Sequence, residues 1–434
     1  VEVIEPEKHD CAMKHRSLAL ALVLSLTIAA ATRGDVALPA NVLNPPTAPE
    51  AWNVIRLASA NVERLLQEKR LSEVITQIPL CSPALRTLAK DDKPPERGLR
   101  LKKHLQKGLA LIDGVAAASV ANDLAAASKA FGEWRDFLRE VEKEFDPKIV
   151  NSDISFCPMH PDFVSTDAAT PCEKCSMKLL PRRIPYSFIY VPPGEPSMLL
   201  TAAADGPLTA GRKTEVKVQL KRRDGSPVLL DDLMVMHTQH IHLLIVDPSL
   251  EDYHHEHPTA TATRGEYAFS FTPKKSSSYR IWADVVPVAT GVQEYPAVEL
   301  PGTGKADPIG SRSGRYTTTA DGLNFRLTFA DGALPRNQQV RAMKIEVVDA
   351  NGQPVRRLEP LMNAFAHLVG FYDDYRTVVH IHPEGGDILR DDLRGGPMMS
   401  FKFYPPRAGF LRLFCQVVVD GKTIFAPFNV NVAP

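Results

Sequence analysis

The chain has 434 residues, 44% of them hydrophobic, with 51 basic side chains balanced by 51 acidic ones. That length is ample for several globular domains, and a net charge of zero removes the electrostatic argument for nucleic-acid binding. No basic run with interleaved aromatics occurs, and no stretch after the N-terminal region is long and apolar enough to span a bilayer.

Met13 begins the pattern of a secretory leader. Lys14 and Arg16 supply a charged start, Leu18 to Ala30 an apolar stretch too short for a comfortable membrane span, and Ala29-Ala30-Ala31 a small-residue cleavage site. Residues 13–31 are therefore expected to be a signal peptide, and residues 1–12 an extension ahead of the true start codon. The mature chain is expected to be periplasmic or secreted, without a membrane span. Of the six cysteines, Cys11 would leave with the leader, and Cys81 and Cys415 fall in different expected domains. Cys415 alternates with apolar neighbours, so a buried free thiol is expected there rather than a disulfide.

Residues 32–47 are expected to be a linker. From residue 48 to 148 the apolar period is helical. Trp52, Ile55, Val62 and Leu66 form one stripe with Ser59 in line; Leu101, Leu105, Leu109 and Ile112 form a second. Leu124, Ala127, Phe131, Trp134, Leu138, Val141 and Phe145 form a third. Such stripes are buried against each other, which gives an antiparallel bundle of three or four helices. No C-x-x-C-H haem-attachment motif is present.

Cys157-Pro158-Met159-His160-Pro161 is followed by Cys172-Glu173-Lys174-Cys175-Ser176-Met177. A C-x-x-H pair and a C-x-x-C pair on facing turns place three thiolates and one imidazole at the corners of a tetrahedron, the donor set of a closed zinc site. Met159 and Met177 add thioethers, and soft sulfur suits Cu(I) equally. The ion is thus Zn²⁺ or Cu⁺. The segment 152–182 resembles the small heavy-metal-binding domain attached to membrane-fusion subunits of copper and silver efflux pumps and to some copper-transporting P-type ATPases. The residues that carry the resemblance are Cys157, Met159, His160, Pro161, Cys172, Cys175, Met177, Leu180 and Pro181. The resemblance implies a zinc-ribbon-like metal knuckle. Ser176 stands where that family usually has Gly, and Ser155 where it has an aromatic, with Phe156 next to it.

After the prolines between Pro181 and Pro196, expected to be a linker, the period changes to two: Thr214 to Leu220 alternates like a half-buried strand. Turn pairs recur at Asp224-Gly225, Asp331-Gly332, Asn351-Gly352 and Asp420-Gly421, as in antiparallel sandwiches. The region is also duplicated. His242 to His257 has the spacing of His367 to His382, Phe269 to Pro273 answers Phe401 to Pro405, and Tyr279 to Asp284 answers Leu411 to Gln416. The expected fold is a multidomain α + β chain. It comprises the helical bundle (48–148), the knuckle (152–182) and two antiparallel Ig-like β-sandwich repeats (197–303 and 314–434). The repeats resemble the tandem His-rich sandwiches found in exported bacterial proteins beside the same heavy-metal-binding domain.

Nine of the thirteen histidines lie in the two sandwiches. Residues two apart on a strand share a face, so His240 with His242, His255 with His257, and His380 with His382 form expected pairs. If the strand of His242 lies beside that of His255 and His257, three imidazoles converge and can hold Cu²⁺ or Zn²⁺; His367, His380 and His382 are the matching set. Glu256 is a candidate carboxylate behind the first set. The competing expectation is a structural corner in which the imidazoles cap backbone groups. No G-x-S-x-G elbow, H-E-x-x-H helix, Walker loop or dinucleotide fingerprint occurs.

The leading expectation is an exported heavy-metal-binding protein, not an enzyme, that sequesters, senses or hands over copper or zinc. Its bundle would dock an efflux or other envelope protein. One alternative is an extracytoplasmic interaction scaffold with a purely structural zinc; another is a His-rich copper redox enzyme.

Overall fold

The computed structural model describes residues 37–91, 95–186, 188, 191, 194–385 and 387–434; the expected leader, the extension before it and Cys11 lie outside them. The chain divides into two compact units. One extends to Ile154 and adds Arg183–Glu195; the other consists of Ser155–Arg182 and Pro196–Pro434.

The first unit is helical: α1 (Ala40–Leu43), α2 (Ala48–Gln67), α3 (Leu71–Leu88), α4 (Pro95–Val120), α5 (Leu124–Glu142) and α6 (Pro147–Val150). Thr47 and Asp123 cap α2 and α5 by accepting the backbone N–H of Glu50 and Ala126, donors that a helix start otherwise leaves unpaired. Trp52, Ile55 and Val62 from the first stripe and Ala127, Phe131 and Trp134 from the third are buried together. Ser59 has a specific place among them. Trp134 Nε1 donates to Ser59 Oγ at 3.1 Å, so the small residue both admits and satisfies the indole. The middle stripe is half sunk, with Leu101 and Ile112 buried and Leu105 and Leu109 at the margin.

Helix α3 had no stripe in the sequence. It contains Pro79 and Pro83 and is buried on several sides. Internal prolines remove donors and read as breaks, and burial around the helix erases a one-sided pattern. The expected linkers are also partly built in. A helical turn, α1, lies within 32–47. After Arg182 the chain packs into the bundle core through Ile184 and Phe188. Asn61 Nδ2 donates to the carbonyl of Ile184 at 2.9 Å, and Gln77 Nε2 to those of Pro185 and Tyr186 at 2.9 and 2.8 Å. Prolines leave carbonyls to be satisfied, and two buried amides from the bundle do so.

The second unit holds a small sheet and two sandwiches. The small sheet is β1 (Ser155–Phe156), β2 (Val164–Ser165) and β3 (Leu180–Pro181), ordered β2-β1-β3. The first sandwich comprises β4 (Met198–Ala204), β5 (Thr214–Arg222), β6 (His242–Val246), β7 (Tyr253–Glu256), β8 (Thr259–Ala260), β9 (Glu266–Phe271), β10 (Tyr279–Asp284) and β11 (Ala297–Leu300). Its antiparallel sheets are β4-β5-β9-β8 and β11-β10-β6-β7. The second comprises β12 (Thr317–Ala320), β13 (Leu323–Phe329), β14 (Arg341–Val348), β15 (Leu358–Glu359), β16 (His367–Tyr372), β17 (Val378–Ile381), β18 (Met398–Phe403), β19 (Gly409–Val419) and β20 (Lys422–Val432). Its sheets are β12-β13-β14-β18 and β15-β19-β16-β17, with β20 paired to β19.

Strand β5 buries Thr214, Val216, Val218 and Leu220 on one face, as the alternation requires. Strands β6 and β16 are buried at every position. Leu243 and Ile245 enter the core of their own sandwich, while Leu244, Val246, Tyr253 and Trp282 pack against Val369, Phe371, Phe410 and Phe414 of the other. The two sandwiches therefore meet face to face through the β6-β7-β10 and β16-β17-β19 surfaces. Burying this apolar area stabilises the contact by about 25 cal/mol per Å².

One glycine in the bundle is fixed by packing. A Cβ on Gly108 would lie 2.7 Å from the Phe137 ring and 2.9 Å from Leu85, whereas one on Gly114 meets nothing within 4 Å. Gly114→Ala is expected to raise stability by up to about 1 kcal/mol through helix propensity. Gly108→Ala is expected to lose about 1–2 kcal/mol because overpacking outweighs that gain. Urea denaturation of both variants checks the sign difference.

Candidate metal centres

The knuckle is shaped by two tight turns off the small sheet. Cys157 follows β1, and its N–H bonds to the Phe163 carbonyl at 3.1 Å, while Phe163 N–H bonds back to His160 at 2.8 Å. The second turn is closed by Cys172 N–H to Met177 (2.9 Å) and Ser176 N–H to Cys172 (2.7 Å). Ser176 sits at φ +65°, a left-handed conformation that glycine adopts without penalty. Its Oγ donates to Glu384 Oε1 at 3.2 Å, a tether glycine could not supply.

These turns gather the four donors. Cys157 Sγ lies 3.5 Å from Cys175 Sγ and 3.8 Å from His160 Nδ1, and Cys172 Sγ lies 3.7 Å from the same nitrogen. Tetrahedral zinc with bonds of about 2.3 Å to sulfur and 2.0–2.1 Å to nitrogen separates its ligands by roughly 3.3–3.8 Å. The thiols are free, and their spacing is far beyond a disulfide bond. Without a cation, the crowded sulfurs share their charge unevenly. Hydrogen bonds from Cys157 and Cys175 pull Cys172 down, and Cys157 is pushed up by its thiol neighbours. Three thiolates together need a cation.

Met159 and Met177 pack against the Cys157, Cys172 and Leu179 cluster. The knuckle is seated on both sandwiches. Gln293 N–H bonds the Pro158 carbonyl at 3.1 Å. The His160 ring meets the Tyr404 ring edge-on at 5.3 Å, and Lys174 Nζ lies 4.3 Å over the Tyr404 ring.

Strand pairing builds the histidine sets. In the β6–β7 ladder Leu244 is opposite His255, and in the β16–β17 ladder Val369 is opposite His380. His242 Nδ1 lies 3.2 Å from His255 Nε2 and 3.1 Å from His257 Nε2. The other ring nitrogens of His242 and His255 are engaged. His242 Nε2 donates to the Met236 carbonyl at 3.0 Å, and His255 Nδ1 to Gln416 Oε1 at 2.8 Å. Each bond fixes the tautomer and leaves a bare nitrogen facing inward.

The second set repeats the scheme. His367 Nε2 donates to the Leu361 carbonyl at 3.0 Å and His380 Nδ1 to Asp284 Oδ2 at 2.7 Å. His367 Nδ1, His380 Nε2 and both nitrogens of His382 are buried with no hydrogen-bond partner. Buried unpaired acceptors are costly, and three that converge fit a cation. Within each set the donor atoms lie within 4.8 Å of one another. Burial pushes His242 and His257 down to about 4 and holds His255, His367 and His382 well below the usual imidazole range. The rings are therefore neutral at physiological pH, the form that binds metal.

The two sets adjoin each other. His380 lies 5.8 Å from His242 and 5.7 Å from His255, ring centre to ring centre. The supporting contacts are exchanged: His255 leans on Gln416 of the second sandwich, and His380 on Asp284 of the first. Asp284 is buried, which would raise its pKa, but hydrogen bonds from His380 and Gln293 and charge interactions with His380 and His242 together outweigh this and hold it below the usual carboxylate range.

His240 is not in the grouped set. It lies before β6 begins, where strand alternation does not apply, and its Nδ1 is 3.0 Å from the Leu233 carbonyl. Strand alternation turns Glu256 to the face opposite His255 and His257, and the carboxylate behind a histidine is Asp284. Sequence reasoning gave Asp284 and Gln416 no role at the site. The signal was present: they sit at matching positions in strands of the two repeats, opposite His242 and His367, and β6 and β16 are apolar runs without alternation, the mark of strands covered on both faces.

This geometry defines a β-sandwich protein with one group of three cysteines and a histidine, and two groups of three histidines, able to hold metal. The model described as Domain of unknown function (DUF8832) matches residues 199–297 and 318–434, so the sandwich region carries that domain. No curated protein matches the chain. Among solved structures, MtrC from Shewanella baltica aligns at 8% identity and a TM-score of 0.17, covering 53% of this chain and 68% of that one. The bacterial integrin-binding protein invasin aligns at 15% and 0.16, covering 54% and 39%. A glycosyl hydrolase family 2 member from Bacteroides cellulosilyticus aligns at 10% and 0.15, covering 54% and 28%.

Two substitutions test this geometry. Asp284→Asn is expected to weaken metal binding at the His367 set about 10- to 100-fold by loosening the hold on His380; chelator competition on the purified chain measures it. Ser176→Gly is expected to stabilise the metal-bound knuckle by about 1 kcal/mol by removing left-handed strain, read as slower zinc loss to a chelator.

Proposed function

We propose that the protein is an exported heavy-metal-binding protein that takes up copper or zinc at the Cys157/His160/Cys172/Cys175 knuckle and holds or hands on further ions at the two histidine sets. The observation that carries this reading is the shared cavity between them. A cavity of about 170 Å³ is lined by His160 and Cys175 of the knuckle and by His380 of the second set. A wider groove of about 530 Å³ runs from Cys175 and Met177 to His237 and His382. An ion leaving the thiolates thus has thioether and imidazole donors among the residues lining these cavities.

Export is proposed from the leader pattern at 13–31, and docking of an efflux or other envelope protein is assigned to the helical bundle. Among the described residues no helix is long and apolar enough to cross a membrane. A second reading, a scaffold with structural zinc, is favoured by the Gln293–Pro158 and Ser176–Glu384 bonds that seat the knuckle on both sandwiches. In the redox-enzyme reading, turnover would disappear on His255→Ala.

Elemental analysis of the purified chain separates these. The metal-handling reading expects up to three ions, one per group. Cys172→Ser with Cys175→Ser would remove one, and His255→Ala with His380→Ala would remove the others. The scaffold reading expects one zinc and none at the sandwiches. Metal content unchanged by the cysteine substitutions contradicts both.

A further inference from the structure

The duplicated strands β10 and β19 each carry an arginine at the same position. Arg280 follows Tyr279 as Arg412 follows Leu411, and the ladders align them, with Asp284 opposite His242 and Gln416 opposite His367. On the other edge of each strand the partners differ. Arg280 is opposite Glu299 on β11, whereas Arg412 is opposite Asn429 on β20. Opposite charges on directly opposed residues are favourable. The first repeat therefore has a carboxylate in register with its arginine, and the second has a neutral amide in that place.

Arg412 is only 5% exposed. It shares a strand face with Phe410 and Phe414, which pack against the first sandwich. Its hydrogen bonding is incomplete. Nη1 donates to Asn429 Oδ1, and Nε is buried with no hydrogen-bond partner. Nη2 lies 3.6 Å from Glu251 Oε1, too far for a hydrogen bond. Glu251 is half exposed and also faces Lys275 at 3.8 Å, so its charge is shared. Burial, and then the charge of Arg315, push Arg412 below the usual guanidinium range, and Glu251 and Asp247 restore only part of this. A guanidinium stays charged regardless, and a buried charge short of partners is costly.

Arg412 lines a cavity of about 420 Å³ together with Glu251, Ser311, Arg315, Pro427 and Asn429. Asn429 Nδ2 donates to the carbonyls of Ser311 and Ser313 at 2.9 and 3.0 Å. The backbones of Arg315 and Asn429 bond each other in both directions at 3.0 Å. The segment that joins the sandwiches is thereby held against β20, and exposed Arg315 is kept beside buried Arg412. We propose that this cavity binds a small molecule through an oxyanion group, a carboxylate or a phosphate. Two of its oxygens take hydrogen bonds from the Nε and Nη2 edge of Arg412, and Arg315 supplies a second positive charge. With Nη1 committed to Asn429, that edge is the side of the fork without a hydrogen bond, and its spacing matches paired oxygens. Two guanidinium groups outnumber the one carboxylate of the lining. The volume is that of a small-molecule site and leaves room for the body that carries the anion. The site shares no residue with the metal groups and does not depend on them.

The test is equilibrium dialysis of the full chain against radiolabelled inorganic phosphate and, separately, radiolabelled acetate, with ionic strength held constant by chloride. Wild type is expected to bind at least one of them saturably; tighter phosphate identifies a phosphorylated ligand, tighter acetate a carboxylate. Arg412→Lys keeps the charge but lacks the fork, and is expected to weaken binding at least about tenfold. Arg315→Gln alters an exposed side chain and is expected to weaken binding about two- to fivefold. Asn429→Glu supplies the counter-charge that the first repeat has in register, and is expected to abolish binding. Should Arg412→Lys or Asn429→Glu lose the far-ultraviolet circular dichroism of the wild type, Arg315→Gln decides. No saturable binding of either anion to wild type overturns the proposal, as does affinity left unchanged by Arg315→Gln or by folded Arg412→Lys.

Discussion

The histidine sites depend on a set of hydrogen bonds that decide which ring nitrogen stays bare. Met236 and Leu361 offer carbonyls to His242 and His367, and Gln416 and Asp284 accept from His255 and His380. Without these bonds a buried imidazole could present either nitrogen, and the three rings of a set would hydrogen-bond to one another. With them, the lone pairs converge in a place from which water is largely excluded. Asp284 adds a buried negative charge, bonded by His380 and Gln293. A cation held at the converging nitrogens would offset the cost of burying that carboxylate.

Two of those four bonds cross from one sandwich to the other, so the sites and the domain interface are one structure. Apolar packing of Leu244, Val246 and Trp282 against Val369, Phe371 and Phe414 supplies adhesion without direction. The polar contacts supply register, because a shift of the faces would separate His255 from Gln416 and His380 from Asp284 together. The knuckle shares in this arrangement. From its Pro158 carbonyl a hydrogen-bonded chain passes through the Gln293 backbone, from Gln293 Nε2 to Asp284 Oδ1 at 2.5 Å, and on to His380. A change at the thiolates is thereby connected to the orientation of a sandwich histidine.

Much of this was legible in the sequence, because the determinants were local. C-x-x-H and C-x-x-C spacing fixes a turn, so the knuckle followed from four residues. The 3.6-residue stripes of α2 and α5 placed Trp52 and Trp134 inside, and equal spacing in two copies placed His242 with His257 and His367 with His382. What lay hidden depended on pairing between distant segments. Helix α3 disguised itself with two prolines and burial on several sides. The segment after Arg182 resembled a linker until Asn61 and Gln77 satisfied its carbonyls. His240 fell just short of the strand whose alternation was applied to it. Asp284 and Gln416 had no local mark, since their partners belong to the opposite repeat. Ser176 was visible as a departure from glycine, and its positive φ with the Glu384 bond shows what the departure costs and what replaces it.

The central claim is that the two repeats meet around bare, converging nitrogens that hold metal. Anomalous diffraction from crystals of the chain grown with copper and with zinc tests it most directly. The account predicts one peak within bonding distance of the Cys157, Cys172 and Cys175 sulfurs and two between the sandwiches. Of those two, one should lie against His242, His255 and His257 and the other against His367, His380 and His382. A peak at the knuckle alone, with ordered water or interlocking rings at the histidines, would contradict it.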